Sequence, residues 1–382
     1  MKELGYIKEE DCLKATEEAK AGLAFKQTKP KNENSSIYSY HTDALINEIV
    51  TELSEKKKIS KECAENYLIL GGLTIQSTQN STIQKIVETE FEKNTYIKNS
   101  KNEENATSQA AMILLDHTNG QVVACTGGLG KKDTTRGLNR ATSSTRQTGS
   151  AGKPISVLVP GFCENAITGA SVFVDIETTF DDGTEEGYTP TDYNGFQGAI
   201  TLRRAVESSQ NVPFVKIMEK ITPATSINYM KKMGITTLTD VDNNLNLALG
   251  GLDKGISPLE LAGSYATIAN DGRYTEPTFY TEIKNNKGKT ILKTSQDVKR
   301  IFSKQIAYVI KELLTQPVKG TYGTATYCAI PNIETAAKTG TTNENYDRWL
   351  CGFTPYYTAV TWYGFDKNET IEFGGKNPAG LI

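Results

Sequence analysis

The sequence predicts an α+β fold in which one sheet packs against a cluster of helices. Apolar segments at 110–116 and 121–128 flank His117-Thr-Asn-Gly120, and Asn-Gly in such a turn is typical of a β-hairpin. The chain ends in further strand-like segments, and the residues between have mainly helical patterns. Because strands lie on both sides of the helices, we expect the first and the last strands to pair in one sheet.

Helical periodicity also characterises the first 105 residues, which are rich in Lys, Glu and Asn. Helices are predicted at 42–57 and 79–97, and the polar stretch 24–40 is typical of a linker or an exposed loop. The apolar residues expected on one face of these helices are Ile46, Ile49, Val50 and Leu53 in the first and Ile83, Ile86, Val87 and Phe91 in the second. The composition changes near residue 108, which predicts a domain boundary at about residue 105.

The remaining residues divide into short elements by the same criteria. The predicted helices lie near 153–163, 201–209, 223–233, 257–269 and 303–315. The predicted strands lie around 278–285, 289–294, 334–340, 347–354 and 357–365.

The composition excludes several functional classes. The 382 residues suffice for about two to three domains, and the formal net charge of −3 disfavours a nucleic-acid partner. The only histidines are His41 and His117, so a His-rich metal site and a Ser-His-Asp hydrolase are nearly excluded, and lysine becomes the better candidate for a catalytic base. No two of the six cysteines have C-x-x-C spacing, which disfavours zinc-ribbon and thioredoxin readings.

The sequence contains no run of about 18 apolar residues, and its charged start is not typical of a signal peptide. It begins within a predicted helix and ends at GGKNPAGLI, just after a predicted strand. We therefore expect the chain to be a fragment of a larger protein.

Three short patterns contain the candidate catalytic residues. They are Ser150-Ala151-Gly152-Lys153 (S-x-x-K), Ser209-Gln210-Asn211 (S-x-N) and Lys338-Thr339-Gly340-Thr341 (K-T-G followed by Thr). Each is weak alone, because S-x-x-K and S-x-N also occur elsewhere, at 54–57, 100–102 and 226–228. The K-T-G pattern occurs once. The order, the spacing and the predicted strand that ends in K-T-G distinguish this set from the chance copies.

Ser150 and Lys153 suit nucleophilic catalysis. Serine is a poor nucleophile at neutral pH and needs an adjacent base, which a lysine must supply here. A lysine at i+3 on a helix lies one turn from the serine on the same face. Pro154 fits a first helical turn, so we expect Ser150 at a helix N-terminus, where the dipole favours an alkoxide. Burial and a second cation lower the pKa of a lysine, and Lys338 is the candidate for that cation.

The K-T-G pattern suits the edge of a sheet. Gly340 lets a substrate backbone approach closely, and Thr339 and Thr341 share a face because they are two residues apart. We expect the two hydroxyls and the Lys338 ammonium to lie on one face and to bind a carboxylate. The backbone N–H groups of Ser150 and Thr341 are the candidate oxyanion hole.

The segments that contain these motifs, together with two further segments, resemble the class A penicillin-binding proteins. The matching segments are GGLTIQSTQNSTIQ (71–84), GLNRATSSTRQTGSAGKP (137–154), YTPTDYNGFQGAITLRRAVESSQNVPFVKI (188–217), LALGGLDKGISPLELAGSYATIANDGRYTEP (247–277) and AAKTGTTNENYDRWLCGFTP (336–355). The resemblance implies the penicillin-binding and serine β-lactamase-like fold, an antiparallel sheet packed against helices. Gly152 departs from the family, which usually has a bulky residue there.

The resemblance also implies a domain organisation. Residues 1–35 would be the remnant of a glycosyltransferase domain, 36–105 a linker or pedestal region, and 106–382 a transpeptidase domain truncated at its C-terminus. The parent protein would be anchored in the bacterial membrane and act on its extracytoplasmic face, and this chain would be a soluble fragment of it.

By position, the resemblance implies a D,D-transpeptidase that cross-links peptidoglycan stem peptides ending in D-Ala-D-Ala. Ser150 would be the acylated nucleophile and Lys153 its base. Ser209 would relay a proton to the leaving amine, and Asn211 would hold the substrate amide and Lys153. Lys338 would support Ser209 electrostatically.

The same resemblance implies that Thr339, Gly340 and Thr341 bind the substrate, that the two threonines hold its terminal carboxylate, and that β-lactams acylate the serine. No metal or organic cofactor is implied. A β-lactamase would need a glutamate-held water, and no Glu-x-x-Leu-Asn segment lies between Asn211 and Lys338. A D,D-carboxypeptidase and a non-catalytic β-lactam-binding module stay open as alternatives.

Overall fold

The computed structural model of the chain describes residues 2, 7–20, 37–294, 297–372 and 374–382. It divides into two units, residues 1–37 and 38–382. The helices are α1 (Glu9–Lys20), α2 (Tyr40–Lys57), α3 (Lys61–Leu70), α4 (Ser81–Phe91), α5 (Arg140–Ser143), α6 (Val159–Cys163), α7 (Leu202–Ser208), α8 (Val212–Ile221), α9 (Pro223–Lys232), α10 (Pro258–Ala269) and α11 (Lys304–Lys319). The strands are β1 (Thr74–Ser77), β2 (Gln109–Asp116), β3 (Gln121–Thr126), β4 (Val172–Asp175), β5 (Gly198–Thr201), β6 (Arg273–Tyr274), β7 (Tyr280–Lys284), β8 (Thr290–Lys293), β9 (Lys299–Arg300), β10 (Ala336–Thr341), β11 (Asp347–Phe353) and β12 (Thr358–Gly364).

The largest sheet of the second unit joins the two groups of strands that the sequence predicts. Its order is β10-β11-β12-β2-β3, and the neighbouring strands are antiparallel. β12 pairs with β2 from Thr358↔Leu115 to Gly364↔Gln109, so the last strand of the sheet lies beside the first. The predicted α+β fold with an antiparallel sheet is confirmed.

Helix α10 packs against this sheet and links it to the segment that contains Ser150. It contacts β2, β11 and β12, and begins with a capping box in which Ser257 Oγ accepts from the Glu260 N–H (3.2 Å). Leu261 and Tyr265 are fully buried. The Tyr265 hydroxyl donates to the Ala151 carbonyl (2.7 Å), so the helix supports the turn beside Ser150.

The segment after Ser150 is not the uniform α-helix predicted at 153–163. Gly149–Gly152 is a 3₁₀ turn, Pro154–Leu158 is a π-helical turn, and α6 follows. Proline has no N–H to donate, so Pro160 removes one regular helical hydrogen bond from the middle of the predicted helix. Wide turns of this kind recur at functional sites.

The other predicted elements occur with shifted ends. The helix expected at 79–97 stops at Phe91 and is followed by a separate 3₁₀ turn, Asn94–Tyr96. Ile86, expected on its apolar face, is exposed. Helices α3 and α8 and the strands β4 and β5 were not predicted. α8 begins VPFV, and its β-branched valines have low helix propensity. Most of the predicted linker at 24–40 lies outside the described residues.

The residues before 105 share a core with those after it. Ile49 and Leu53 of α2 are fully buried in the same cluster as residues of the sheet. β1 pairs with β7, which ties this region to the later part of the chain. The boundary at residue 105 stays a prediction. Among the described helices, none has the length and apolar character to cross a bilayer.

Candidate active site

The turn with Ser150 lies directly against the end of β10. Gly149 has φ +51°, and a Cβ on it would lie 2.2 Å from the Thr341 carbonyl oxygen. A Cβ on Gly340 would lie 2.4 Å from the Thr148 carbonyl oxygen. The two backbones therefore touch at positions that only glycine allows, and this contact places Ser150 beside K-T-G.

Gly340 provides a stability prediction. In Gly340→Ala the new methyl group meets the Thr148 carbonyl at 2.4 Å and the Ala151 Cβ at 2.8 Å. We expect the free energy of unfolding to fall by about 1–3 kcal/mol, because two well-packed backbones must separate. Melting in denaturant measures this loss. Gly374→Ala is the matched control, since a Cβ there has no neighbour within 4 Å. Equal losses in the two variants would contradict the packing argument.

The second motif forms the turn between α7 and α8. Ser209 has φ +61° and ψ 33°, a left-handed conformation that is uncommon for serine, and its N–H donates to the Ala205 carbonyl. The following residues turn their acceptors toward Lys153. Lys153 Nζ donates to the carbonyls of Ser209 (2.9 Å) and Gln210 (2.9 Å) and to Asn211 Oδ1 (2.7 Å).

Lys338 approaches the same serine from β10. Its Nζ donates to Ser209 Oγ (2.7 Å) and to the Thr339 carbonyl (3.1 Å). Lys153 is fully buried and Lys338 is 1% exposed. Within the described ranges, neither lysine forms an ion pair with a carboxylate. Two amines buried without a counterion are an unusual arrangement in a folded protein.

Burial lowers the pKa values of both amines. Burial, and then the charge of Lys338, hold the pKa of Lys153 well below its usual range, while Asp192 and Asp175 oppose this shift. Burial lowers the pKa of Lys338 to about 7, with the Cys351 thiol opposing it. The lowered pKa of Lys153 favours the unprotonated amine, which is the form that can accept a proton.

The pairing of β10 explains which backbone groups face the site. β10 is an edge strand, and the Thr342 N–H donates to the Asp347 carbonyl (3.2 Å) just beyond it. Hydrogen-bonded positions alternate along an antiparallel pair, so Gly340 bonds to β11. The backbone N–H of Thr339 and Thr341 consequently faces the free edge, where the turn with Ser150 lies.

The expectation that both threonine hydroxyls and Lys338 lie on one face is wrong. Successive side chains of a strand point to opposite faces, so Lys338 is on the face opposite Thr339 and Thr341. Its long chain bends back to the strand edge, where Nζ reaches the Thr339 carbonyl. On the other face, Arg348 Nη1 donates to Thr341 Oγ1 (3.2 Å).

The structure brings Lys153, Ser209, Asn211 and Lys338 into contact and places Ser150 on the adjoining turn. Ser150 is partly buried, and its hydroxyl has no hydrogen-bond partner among the described residues. A direct contact with Lys153 stays a prediction.

The sequence patterns do not reveal the groups that hold the site residues in place. Trp349 Nε1 donates to the Gln147 carbonyl (2.8 Å), Thr339 Oγ1 donates to Thr324 Oγ1 (2.8 Å), and Asn211 Nδ2 donates to the Thr191 carbonyl (2.6 Å). Most acceptors here are backbone oxygens, for which a sequence carries no residue-type signal.

A serine at the start of a helical segment, beside a buried lysine of lowered pKa and a sheet edge with free N–H groups, has the parts of an acyl-transfer site. The chain belongs to the family of penicillin-binding protein transpeptidase domains, whose profile matches residues 110–377.

Related proteins agree with this assignment. The chain is 32% identical over 381 residues to penicillin-binding protein 1A of Clostridium botulinum (strain Langeland). This alignment covers 96% of the chain and 45% of that protein. It is 34% identical over 352 residues to penicillin-binding protein 1F of Bacillus subtilis, covering 89% of the chain and 46% of that protein. The chain therefore spans less than half the length of these relatives.

Solved structures share the fold. The PonA1 protein of Mycobacterium tuberculosis, in complex with penicillin V, superposes with a TM-score of 0.73 at 22% identity. The match covers 89% of this chain and 90% of that one.

Proposed function

We propose that this chain is the catalytic domain of a D,D-transpeptidase that cross-links peptidoglycan stem peptides through a serine acyl-enzyme. The observation that supports this most directly is the buried Lys153, which lies in one hydrogen-bonded network with Ser209, Asn211 and Lys338. The family and the penicillin-complexed structural neighbour support the same reading.

In the proposed acylation, Ser150 Oγ attacks the carbonyl of the penultimate D-Ala and Lys153 Nζ accepts the hydroxyl proton. The N–H groups of Ser150 and Thr341 stabilise the oxyanion. The C–N bond to the terminal D-Ala then breaks, and Ser209 relays a proton from the lysines to the departing amine. An acceptor amine on a second stem peptide attacks the ester, and the serine regains its proton.

Substrate recognition is proposed at the edge of β10. Thr339 and Thr341 present hydroxyls on one face, and Gly340 between them lets an extended substrate lie close to the strand. The terminal carboxylate would accept from these hydroxyls, and the substrate amide would bind Asn211. No metal or organic cofactor takes part in these steps.

We also propose the wider context from the relatives. The parent protein carries a glycosyltransferase domain, of which residues 1–35 are the end, and residues 36–105 act as a pedestal for the catalytic domain. It is anchored in the membrane and works on the extracytoplasmic face.

Covalent labelling tests the proposed function. We expect benzylpenicillin to add its full mass to the intact chain, and peptide mapping to place the adduct on Ser150. The adduct should persist for hours, because no residue is assigned to activate a hydrolytic water. An unlabelled chain with intact drug would contradict the proposal. An unlabelled chain with hydrolysed drug would indicate a β-lactamase.

The fate of the acyl group separates the remaining alternative. A peptide ending in D-Ala-D-Ala, supplied with an amine acceptor, should yield the new amide along with free D-Ala. Release of D-Ala with water as the only acceptor would instead assign a D,D-carboxypeptidase.

A further inference from the structure

Two aspartate carboxyl groups meet behind the Ser209–Asn211 turn. Asp175 ends β4 and is fully buried, and Asp192 lies between β4 and β5. One oxygen of each anchors the turn. Asp175 Oδ2 accepts from Gln210 Nε2 (2.8 Å), and Asp192 Oδ1 accepts from the Asn211 N–H.

The other two oxygens, Asp175 Oδ1 and Asp192 Oδ2, are buried and have no donor among the described residues. The two carboxyl groups are within hydrogen-bonding reach of each other. Ionised carboxylates only accept hydrogen bonds, so two of them cannot satisfy each other. A single proton between them provides the missing donor and satisfies both oxygens at once.

The charge on this pair agrees with that geometry. Burial, and then the neighbouring Asp175 carboxyl, raise the pKa of Asp192 to about 6, against the opposing effects of the Asn211 N–H and Lys153. The ordinary pKa of an aspartate is 3.8, so Asp192 keeps its proton to a higher pH than an exposed aspartate does.

The pair acts on Lys153 in two ways. The turn that it anchors carries three acceptors for Lys153 Nζ: the carbonyls of Ser209 (2.9 Å) and Gln210 (2.9 Å), and Asn211 Oδ1 (2.7 Å). The charges of both carboxylates also favour a protonated Lys153, whereas Lys338, from β10, disfavours it.

We propose that Asp175 and Asp192 are positioning residues that share one proton. The shared proton joins the two carboxyl groups, so that they hold the Ser209–Asn211 turn against Lys153 and carry one negative charge near Lys153 instead of two. This inference rests on the proposed function, because it takes Lys153 as the base. When the shared proton leaves, the added negative charge strengthens the hold of Lys153 on its own proton.

Asp192→Asn in the full 382-residue chain tests the shared proton. Asparagine keeps the oxygen that accepts from the Asn211 N–H and presents an N–H to Asp175 Oδ1, so it imitates the protonated carboxyl permanently. We expect the maximal rate of acylation by benzylpenicillin to stay close to that of wild type. Below about pH 6 the wild-type pair already carries its proton, so the two chains should acylate at similar rates there. Above about pH 6, Asp192→Asn should be the faster chain, since the wild-type pair gains a negative charge that strengthens the hold of Lys153 on its proton.

Two further variants provide the comparison. Asp181→Asn makes the same charge change on an exposed loop and should keep the wild-type profile. Asp192→Ala removes the acceptor for the Asn211 N–H and should lower the maximal rate about tenfold or more. Rates of Asp192→Asn and wild type that coincide above about pH 6 as well as below it would overturn the inference, and so would a loss as large as that of Asp192→Ala.

Melting temperature against pH gives a readout that does not depend on acylation. A carboxyl whose pKa is raised on folding destabilises the native state as the pH rises from its ordinary value of 3.8 to about 6. Asp192→Asn lacks this loss, so its melting temperature should rise relative to wild type across that range. A difference in melting temperature that stays constant over this pH range would overturn the inference of a shared proton. A rising difference in a chain that penicillin does not label would contradict only the proposed function.

Discussion

Ser150→Ala is expected to abolish acylation by benzylpenicillin while the chain remains folded. The hydroxyl oxygen is the proposed nucleophile, and no neighbouring group of the described chain takes its place. Ser150 is only partly buried and its hydroxyl has no hydrogen-bond partner among the described residues, so its removal costs little stability. Intact-mass spectrometry should show no adduct, and the melting temperature should stay near that of wild type.

Ser54→Ala is the matched control for this experiment. Ser54 begins a second S-x-x-K pattern, Ser54-Glu55-Lys56-Lys57, on α2, and its hydroxyl donates to the Ile59 carbonyl (2.7 Å). This variant should be labelled at the wild-type rate. An adduct that survives Ser150→Ala, on any residue, would show that the nucleophile has been assigned wrongly.

Lys153→Met is expected to slow acylation by about 10²–10⁴-fold, the contribution typical of a positioned general base. Methionine has a similar length and suits a buried position, but it cannot accept the serine proton. Its side chain also leaves the Gln210 carbonyl and Asn211 Oδ1 without their donor, so some stability should be lost as well. Rapid mixing with a fluorescent penicillin measures the rate, and melting measures the stability.

Lys57→Met serves as its control, because Lys57 is the exposed lysine of the second S-x-x-K pattern. It should react like wild type. If a folded Lys153→Met chain also reacts at the wild-type rate, another group is the base, and Lys338 becomes the candidate because burial already lowers its pKa to about 7.

Local patterns were sufficient where neighbours in the sequence are also neighbours in the fold. The hairpin of β2 and β3, with its Asn-Gly turn, follows from residues within one short stretch. Helix α10 (Pro258–Ala269) follows from the helical periodicity that predicted a helix near 257–269. The prediction of one uniform helix at 153–163 was wrong, because Pro160 removes a helical hydrogen bond from the middle of the segment.

The candidate residues themselves could be chosen from motif order, spacing and a family resemblance, but their arrangement could not. Lys338 is on the face opposite the two threonines, and only the bend of its long chain returns the ammonium to Ser209. Asp175 and Asp192 belong to no sequence motif, and only the folded structure places their carboxyl groups together.

By itself, the sequence determined the fold class, the order of the three motifs and the type of side chain available at each step, because strand and turn preferences act over a few residues. The tertiary structure alone decided how far the pKa values of the two lysines fall below the usual range. Lys153 meets Ser209 across 56 residues and Lys338 meets it across 129. Their pKa values depend on burial and on charges brought together by folding, and no local pattern records either.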